Sequence, residues 1–129
     1  MRVLALDAGE ARCGCAVCDP TETVVTPLDV VPSPDTRRGL DSLARLVRER
    51  EIEQIVVGLP LTLSGEEGAQ ARWTRRFAER LRERVDVAVA MHDERLTTRQ
   101  AERAGGAAAA DSRAAAHLLE AFLAARAAR

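Results

Sequence analysis

Three strand patterns in the first 31 residues, followed by alternating helix and strand patterns, constrain the fold of this chain most. The strand patterns cover residues 2–7, about 12–18 and 24–31, and their proximity along the chain predicts an antiparallel meander. Pro27 interrupts the third pattern, which indicates an edge position or a bend. A later run of only apolar residues, 55–58, lies between two helix patterns and is typical of a strand buried on both faces.

The rest of the chain alternates between helices and strands. A fifth strand is expected at 85–91, and four helices are expected around the two later strands. The residues predicted to cap these helices are Asp35, Ser64 with Glu67, Thr97 with Gln100, and Asp111. This order predicts an α/β fold: a single domain over residues 1–129, with a mixed five-stranded sheet flanked by helices. The first three strands are expected to be antiparallel and the later ones parallel.

The composition excludes several classes of protein. Hydrophobic residues at 47% and charged residues at 30% exclude a disordered chain. The absence of a long apolar run and the early charge at Asp7 predict a soluble, cytoplasmic protein. All 19 basic residues are Arg, which favours a composition bias and is also compatible with phosphate binding. The net charge of −1 neither supports nor excludes a polyanionic partner.

Three cysteines, Cys13, Cys15 and Cys18, lie within six residues. An odd number at this spacing does not fit a disulfide framework. A structural zinc site needs four ligands, so these three would be an incomplete set. The pattern favours a buried strand in which Cys serves as a small apolar residue.

Three acidic residues fall where ligands collect in α/β sheets. Asp7 closes the first strand, Glu94 follows the fifth, and Asp111 is expected to open the last helix. Three adjacent carboxylates repel one another unless a cation lies between them, and Mg²⁺ or Mn²⁺ prefers oxygen ligands. Two such ions can activate a water and stabilise the leaving oxygen in phosphoryl transfer.

Each acid also has a simpler interpretation. Asp111 can be explained as a helix cap alone. Glu94 can be explained as a surface partner of Arg95 or Arg99. Asp7 is harder to explain as a turn residue, because it ends an apolar strand next to Gly9.

Four motifs carry a resemblance to a known family. Residues 7–14 fit D-x-G-x-x-R-x-G, and Gly58-Leu59-Pro60 is followed by Gly65, Gly68 and Gln70. Residues 93–98 read D-E-R-x-T-T, and residues 111–115 read D-x-x-A-A. In this order, over nearly the whole chain, the motifs resemble those of the YqgF/RuvX group of RNase H-like nucleases.

The resemblance implies an RNase H-like domain in which Asp7, Glu94 and Asp111 bind Mg²⁺ or Mn²⁺, two ions in all, and catalyse hydrolysis. It also implies a nuclease acting on structured nucleic acid, since members of the family are assigned both trimming of the 16S rRNA precursor and resolution of branched DNA. Cutting a two-fold symmetric junction would favour a homodimer.

Further residues are candidates for substrate binding. Gly9 would let a phosphate approach the backbone, and the loop that starts at Gly58 could present N–H groups to one. The Arg candidates are Arg12, Arg95, Arg72 and Arg76. Two departures from the family's pattern put affinity and metal preference in question: residues 105–110 are Gly and Ala where relatives often carry basic residues, and Glu10 adds a carboxylate near Asp7.

Two other functions fit part of this sequence. One is a catalytically weak nucleic-acid-binding or ribosome-assembly module that keeps the acids for reasons of folding. The other is an actin-like ATPase, in which an Asp-x-Gly turn also follows a first strand. The length of 129 residues argues against the ATPase, because it leaves no room for a duplicated domain and an adenosine site.

Overall fold

The computed structural model describes residues 1–94 and 107–128, with the backbone alone described for 107–111. The strands are β1 Val3–Ala8, β2 Arg12–Cys18, β3 Val25–Pro32, β4 Gln54–Leu59 and β5 Ala88–Asp93, and the helices are α1 Arg37–Glu49, α2 Ala69–Arg82 and α3 Ala107–Ala127. The strand order is β3-β2-β1-β4-β5. β1, β2 and β3 pair antiparallel, and β1, β4 and β5 pair parallel, which confirms the predicted sheet.

The two faces of the sheet carry separate apolar cores, because successive side chains of a strand point to opposite faces. Leu4 and Leu6 of β1 pack with α1 and α2 on one face, which we call the α1/α2 face. Val3 and Ala5 pack against α3 on the other, which we call the α3 face. The predicted inward residues of α1 (Leu40, Leu43, Ala44 and Val47) are all buried. β1, β4 and β5 end at one edge of the sheet, which we call the carboxyl edge.

The observed start of α1 corrects one predicted cap. Thr36, not Asp35, is the N-cap, and its Oγ1 accepts a hydrogen bond from the Gly39 N–H at 3.1 Å. The Asp35 carboxylate instead accepts two hydrogen bonds from the Arg80 guanidinium, at 2.7 and 2.6 Å. A guanidinium satisfies both carboxylate oxygens, which a single capping N–H does not.

The predicted capping box of α2 is also wrong. The N-cap is Gly68, which has no side chain to cap with, and the helix begins at Ala69. Glu67 binds the Arg75 guanidinium, with a distance of 3.0 Å between Oε2 and Nη2. Ser64 lies five residues before the first helical residue, and its hydroxyl is 3.0 Å from that of Thr62.

Two further boundaries differ from the prediction. β5 begins at Ala88 rather than at residue 85, because Ala88 pairs with Gln54, the first residue of β4, and no earlier residue of β4 offers a ladder partner. α3 begins at Ala107, so Asp111 lies in its second turn and does not open the helix. The preceding residues, 107–110, are all Ala, the strongest helix former, and extend the helix toward its N-terminus. The predicted pair Thr97 and Gln100 lies outside the described residues.

The cysteines of β2 are free and buried, as the strand interpretation predicts. Their thiols lie close to backbone carbonyl oxygens, for example Cys18 Sγ at 3.4 Å from the oxygen of Met1. None of the helices within residues 1–94 and 107–128 has the length and apolarity needed to span a bilayer.

Candidate active site

Asp7 lies on the α3 face at the carboxyl edge, between two glycines. It pairs with Gly14 of β2, and the register of Leu6 with Val57 puts Gly58 of β4 on its other side. Because neither glycine carries a side chain, the sheet on both sides of the Asp7 carboxylate is bare backbone. This arrangement leaves room above the sheet for a group that contacts Asp7.

Glu94 fills part of that room. It directly follows β5, its N–H donates to the carbonyl of Leu59 at 3.3 Å, and its side chain is buried. A Cβ added to Gly58 would lie 2.2 Å from Glu94 Oε2 and 3.2 Å from a methyl group of Leu118 on α3. Such a 2.2 Å contact is not tolerated, so the position of the Glu94 carboxylate requires glycine at position 58.

The two carboxyl groups interact strongly. The pKa of Glu94 is raised from 4.5 to about 8, first because the group is buried, then because of the charge of Asp7 and a hydrogen bond with it, and last because of the charge of Asp93. Two carboxylates held this close cannot both ionise without cost. Near neutral pH the pair therefore retains a proton, unless a cation replaces it.

Helix α3 approaches this pair with its N-terminal half. The hydroxyl of Ser112 donates to the carbonyl of Leu28 at 2.7 Å, and Leu118 lies beside Gly58. At the other end, Arg126 Nη1 donates to Gln54 Oε1 at 3.1 Å, at the start of β4. The helix therefore runs opposite to β1, and the backbone of Asp111 precedes Ser112 toward the carboxyl edge. The side chain of Asp111 lies outside the described residues, so its role stays a prediction.

The donor set fits a hard divalent cation. Asp7 and Glu94 offer carboxylate oxygens, which Mg²⁺ and Mn²⁺ prefer, and a cation would remove the repulsion that raises the pKa of Glu94. Among the side chains that the structure describes, no group of three or more His, Cys, Asp or Glu is arranged to hold a metal ion. The described part of the site is a pair of acids.

The turn after β1 brings two predicted substrate-binding residues to Asp7. Residues 7–12 line a depression of about 300 Å³, and the Gly9 N–H donates to the carbonyl of Arg12 at 2.9 Å. A Cβ on Gly9 would lie 3.3 Å from that carbonyl oxygen, so the tight turn favours glycine. Glu10 lines the same depression, as its position next to Asp7 suggested.

The other predicted substrate-binding residues do not lie together in one place. Arg72 and Arg76 are exposed on α2, and Arg72 Nη1 donates to the carbonyl of Glu67 at 3.2 Å. Gly58 supports Glu94, a role that the sequence did not indicate. Arg95 lies outside the described residues.

Sequence reasoning did not single out His92. It pairs with Gly58 in the β4–β5 register and lies edge-to-face with Phe122 of α3, with 5.9 Å between the ring centroids. The alternation of β5 could have identified it, because residues 92 and 94 are two apart and share a face.

Solved structures show the class of fold. The chain is similar to Thermus thermophilus RuvC in complex with a Holliday junction, with a TM-score of 0.63, 19% identity, and coverage of 98% of this chain and 96% of that one. It is also similar to the fowlpox virus resolvase in complex with Holliday junction DNA, with a TM-score of 0.60, 12% identity, and coverage of 98% and 99%. The fold is that of the RuvC-like, RNase H-like proteins.

Sequence comparison identifies the family within that class. Residues 1–125 match the RuvX family, described as Holliday junction resolvase, and the chain belongs to this family. A relative from Roseiflexus sp. strain RS-1 is 41% identical over 102 residues, which are 79% of this chain and 72% of the relative. One from Anaeromyxobacter sp. strain Fw109-5 is 46% identical over 102 residues, 79% and 74% of the two chains.

The relatives bear on the predicted function. Both are named as pre-16S rRNA nucleases, as is one from Chloroflexus aurantiacus strain J-10-fl, which is 43% identical over 101 residues, 78% of this chain and 66% of the relative. The chain thus spans about two thirds to three quarters of these relatives' length. The predicted family and the predicted class of function, a nuclease that hydrolyses nucleic acid, are confirmed.

Proposed function

We propose that this chain is a divalent-metal-dependent nuclease that hydrolyses phosphodiester bonds in structured nucleic acid, and that it acts in the cytoplasm. The observation that carries the proposal is the carboxyl pair at the carboxyl edge, in which Glu94 is buried over Gly58 and interacts with the partly buried Asp7. Holding two like charges this close in a partly buried site is costly unless a cation is bound there.

We assign Asp7 and Glu94 to metal binding and catalysis, with Asp111 as the third acid. Divalent ions held there, two by our proposal, would supply an activated water and stabilise the leaving oxygen. Asp7 is fixed by the β1 ladder, and Glu94 is fixed by its N–H bond to Leu59 and by contact with Gly58. Residues on paired strands hold their side chains with the precision that such chemistry requires.

The depression beside Asp7 is where we place the scissile phosphate. Gly9 keeps its backbone open to an approaching phosphate, and Arg12, exposed at the start of β2, lines the same depression. A guanidinium can form two parallel hydrogen bonds with a phosphate. We further assign Arg72, Arg76 and Arg95 to phosphates outside the cleaved bond.

Two substrates are supported by different relatives. The curated relatives are named for the 16S rRNA precursor, and the family model is described as Holliday junction resolvase. We propose that the chain acts on one or both, and that on a four-way junction it works as a homodimer with one Asp7–Glu94 pair for each of the two cleaved strands.

The decisive experiment is a cleavage assay with two substrates. Labelled precursor 16S rRNA and a labelled four-way DNA junction are incubated with Mg²⁺ or Mn²⁺, using the wild type and Asp7→Asn. We expect metal-dependent cutting by the wild type and none by Asp7→Asn, because the amide cannot bind the cation as a carboxylate does. Circular dichroism should show the same fold for both proteins.

The preferred substrate then separates RNA processing from junction resolution, and sedimentation of the junction complex tests the dimer. A folded wild type that cuts neither substrate with either metal would contradict the nuclease proposal and would favour a binding module. Unfolding of Asp7→Asn would show that Asp7 is a structural residue.

A further inference from the structure

A cluster of arginines on α1 lies apart from the carboxylates. We call Arg37, Arg38 and Arg45 the α1 cluster. All three are exposed, and with Asp41 and Ser42 they line an open depression of about 370 Å³. Within the described residues, none of the three forms an ion pair, whereas Asp41 binds the guanidinium of Arg84. The positive charge of the cluster is therefore available to an external anion.

Two of these arginines are unfavourable for the helix itself. Arg37 and Arg38 occupy the first turn of α1, which contains no acidic residue. The partial positive charge of a helix N-terminus repels cations there, by about 0.3–1 kcal/mol for each exposed charge. Arg48, in the last turn, has the favourable placement. Stability of α1 thus does not explain the first-turn arginines, whereas anion binding does.

An ion pair joins this cluster to the arginines of α2. Asp35, two residues before Arg37, accepts two hydrogen bonds from Arg80 at 2.7 and 2.6 Å. Arg76 and Arg72 precede Arg80 by four and eight residues, so the three lie on one stripe of α2. The Asp35–Arg80 pair therefore places the end of the α2 stripe next to the first turn of α1. We call the α1 cluster together with Arg72 and Arg76 the basic surface.

The position of this surface relative to the site follows from the sheet. β3 runs in the same direction as β1, since both are antiparallel to β2, so it ends at the carboxyl edge. α1 starts five residues after β3, at that edge, but packs on the α1/α2 face. The Asp7–Glu94 pair lies at the same edge on the α3 face. A nucleic acid that contacts both must pass around the carboxyl edge.

We propose that the α1 cluster, together with Arg72 and Arg76, binds the phosphate backbone of a double-helical arm that flanks the strand being cut. Arg38 and Arg45 are seven residues apart, about 10 Å along the helix axis, so they reach successive phosphates rather than one. Among the described residues, the depression at the α1 cluster is lined by polar side chains and no aromatic one, which favours a duplex backbone over base stacking with a single strand at this part of the surface. This inference rests on the proposed nuclease function.

The experiment compares two double variants that each remove two positive charges from α1 and its C-cap residue, residues 37–50. Arg37→Gln with Arg38→Gln removes charge at the carboxyl edge, and Arg48→Gln with Arg50→Gln removes it at the opposite end. Equilibrium binding is measured by fluorescence anisotropy, with Ca²⁺ replacing Mg²⁺ to prevent cutting. The probes are a four-way DNA junction, a linear DNA duplex, an RNA duplex and a single strand of the same sequence.

We expect the Arg37/Arg38 variant to bind the junction and both duplexes about 10-fold more weakly, with the slope of log K against log salt reduced by about 2. The affinity of the Arg37/Arg38 variant for the single strand should change less than about 2-fold. The affinities of the Arg48/Arg50 variant for all four probes should also change less than about 2-fold. If the two variants lose the same affinity, the loss is explained by net charge alone and the proposal is overturned. Unchanged affinity of the Arg37/Arg38 variant would also overturn it. Equal loss on the single strand would overturn the duplex assignment.

Cleavage by the wild type separates this inference from the function on which it rests. If the wild type cuts nucleic acid and the Arg37/Arg38 variant binds it normally, the basic surface alone is refuted. If the wild type neither binds nor cuts any probe, both the surface and the proposed function are refuted. Thermal melting of both variants shows whether a loss of binding reflects loss of fold.

Discussion

Acidic residues at the two ends of the sheet have pKa values shifted in opposite directions. At the amino end, Glu22 is bound by the Arg126 guanidinium at 2.6 Å and by the Met1 amino group at 3.1 Å, and these partners lower its pKa. At the carboxyl edge, Glu94 and Asp7 face each other, and the pKa of Glu94 is raised to about 8. The same residue type is stabilised as an anion at one end and destabilised at the other.

This difference distinguishes a structural acid from a candidate ligand. At the amino end, an ion pair connects Arg126 of α3 to Glu22, and a hydrogen bond connects Arg126 to Gln54 of β4; these contacts need nothing from outside the chain. The carboxyl pair is left in an unfavourable state that a divalent cation would relieve. Strongly perturbed acids in one place are typical of functional sites.

Gly58→Ala should have the largest effect. The new Cβ would meet Glu94 Oε2 at 2.2 Å and displace the carboxylate, so we expect at least ~100-fold slower cleavage, because a shift of about 1 Å in a catalytic group has costs of that size. The overpacking should also lower the free energy of unfolding by roughly 1–3 kcal/mol. Cleavage rates and urea melts measure the two effects.

Gly68→Ala is the matched control for stability. Nothing lies within 4 Å of a Cβ at position 68, so Gly68→Ala adds no steric clash, and its free energy of unfolding should fall only by the weaker preference of Ala for the N-cap, about 0.5–1 kcal/mol. If Gly58→Ala melts and cuts like the wild type, Glu94 does not depend on the space above Gly58, and the described site is wrong.

The pH dependence of stability should differ between the two ends. The folded pKa of Glu94, about 8, lies above its ordinary value of 4.5, so its contribution is fully present below pH 4.5 and is lost as the pH rises through about 8. Glu94→Gln should therefore raise the free energy of unfolding of the metal-free protein by roughly 4 kcal/mol at pH 8 and by little at pH 4.5. Urea melts in EDTA at both pH values test this.

The effect of Mn²⁺ on thermal stability tests whether Glu94 binds metal. The wild type should gain thermal stability at pH 8, because the cation binds the folded state only, and Glu94→Gln should gain much less. Equal gains would place the bound metal away from Glu94. The absence of any gain in the wild type would contradict metal binding by this pair.

Glu22→Gln should have the smallest effect, with the opposite dependence on pH. Its lowered pKa means that the stabilisation is present above pH 4.5 and is lost as the pH falls through the folded pKa. Because the group is partly exposed, the loss at pH 7 should be roughly 0.5–1 kcal/mol and should shrink in high salt. Cleavage should not change, and a large change would connect the amino end to the active site.

Much of the fold was predictable because it depends on local patterns. Alternation identified the strands, and the wholly apolar run at 55–58 identified the interior strand β4. Pro27 indicated an edge position or a bend, and β3 does lie at one edge of the sheet. The caps were less predictable. Asp35 and Glu67 both fit a capping pattern, yet each binds an arginine from another turn or element, Arg80 or Arg75, and no local pattern reveals such a partner.

The sequence by itself determined the order of the strands along the chain, the positions of Asp7 and Glu94 at strand ends, and the family motifs that contain them. Only the tertiary structure decided that Glu94 lies over Gly58, that Asp7 lies between two glycines, and that one carboxyl group keeps its proton near neutral pH. These features depend on the register of β1, β4 and β5 and on burial beneath α3. Register and burial arise from contacts between residues distant in the chain, which a local pattern does not encode.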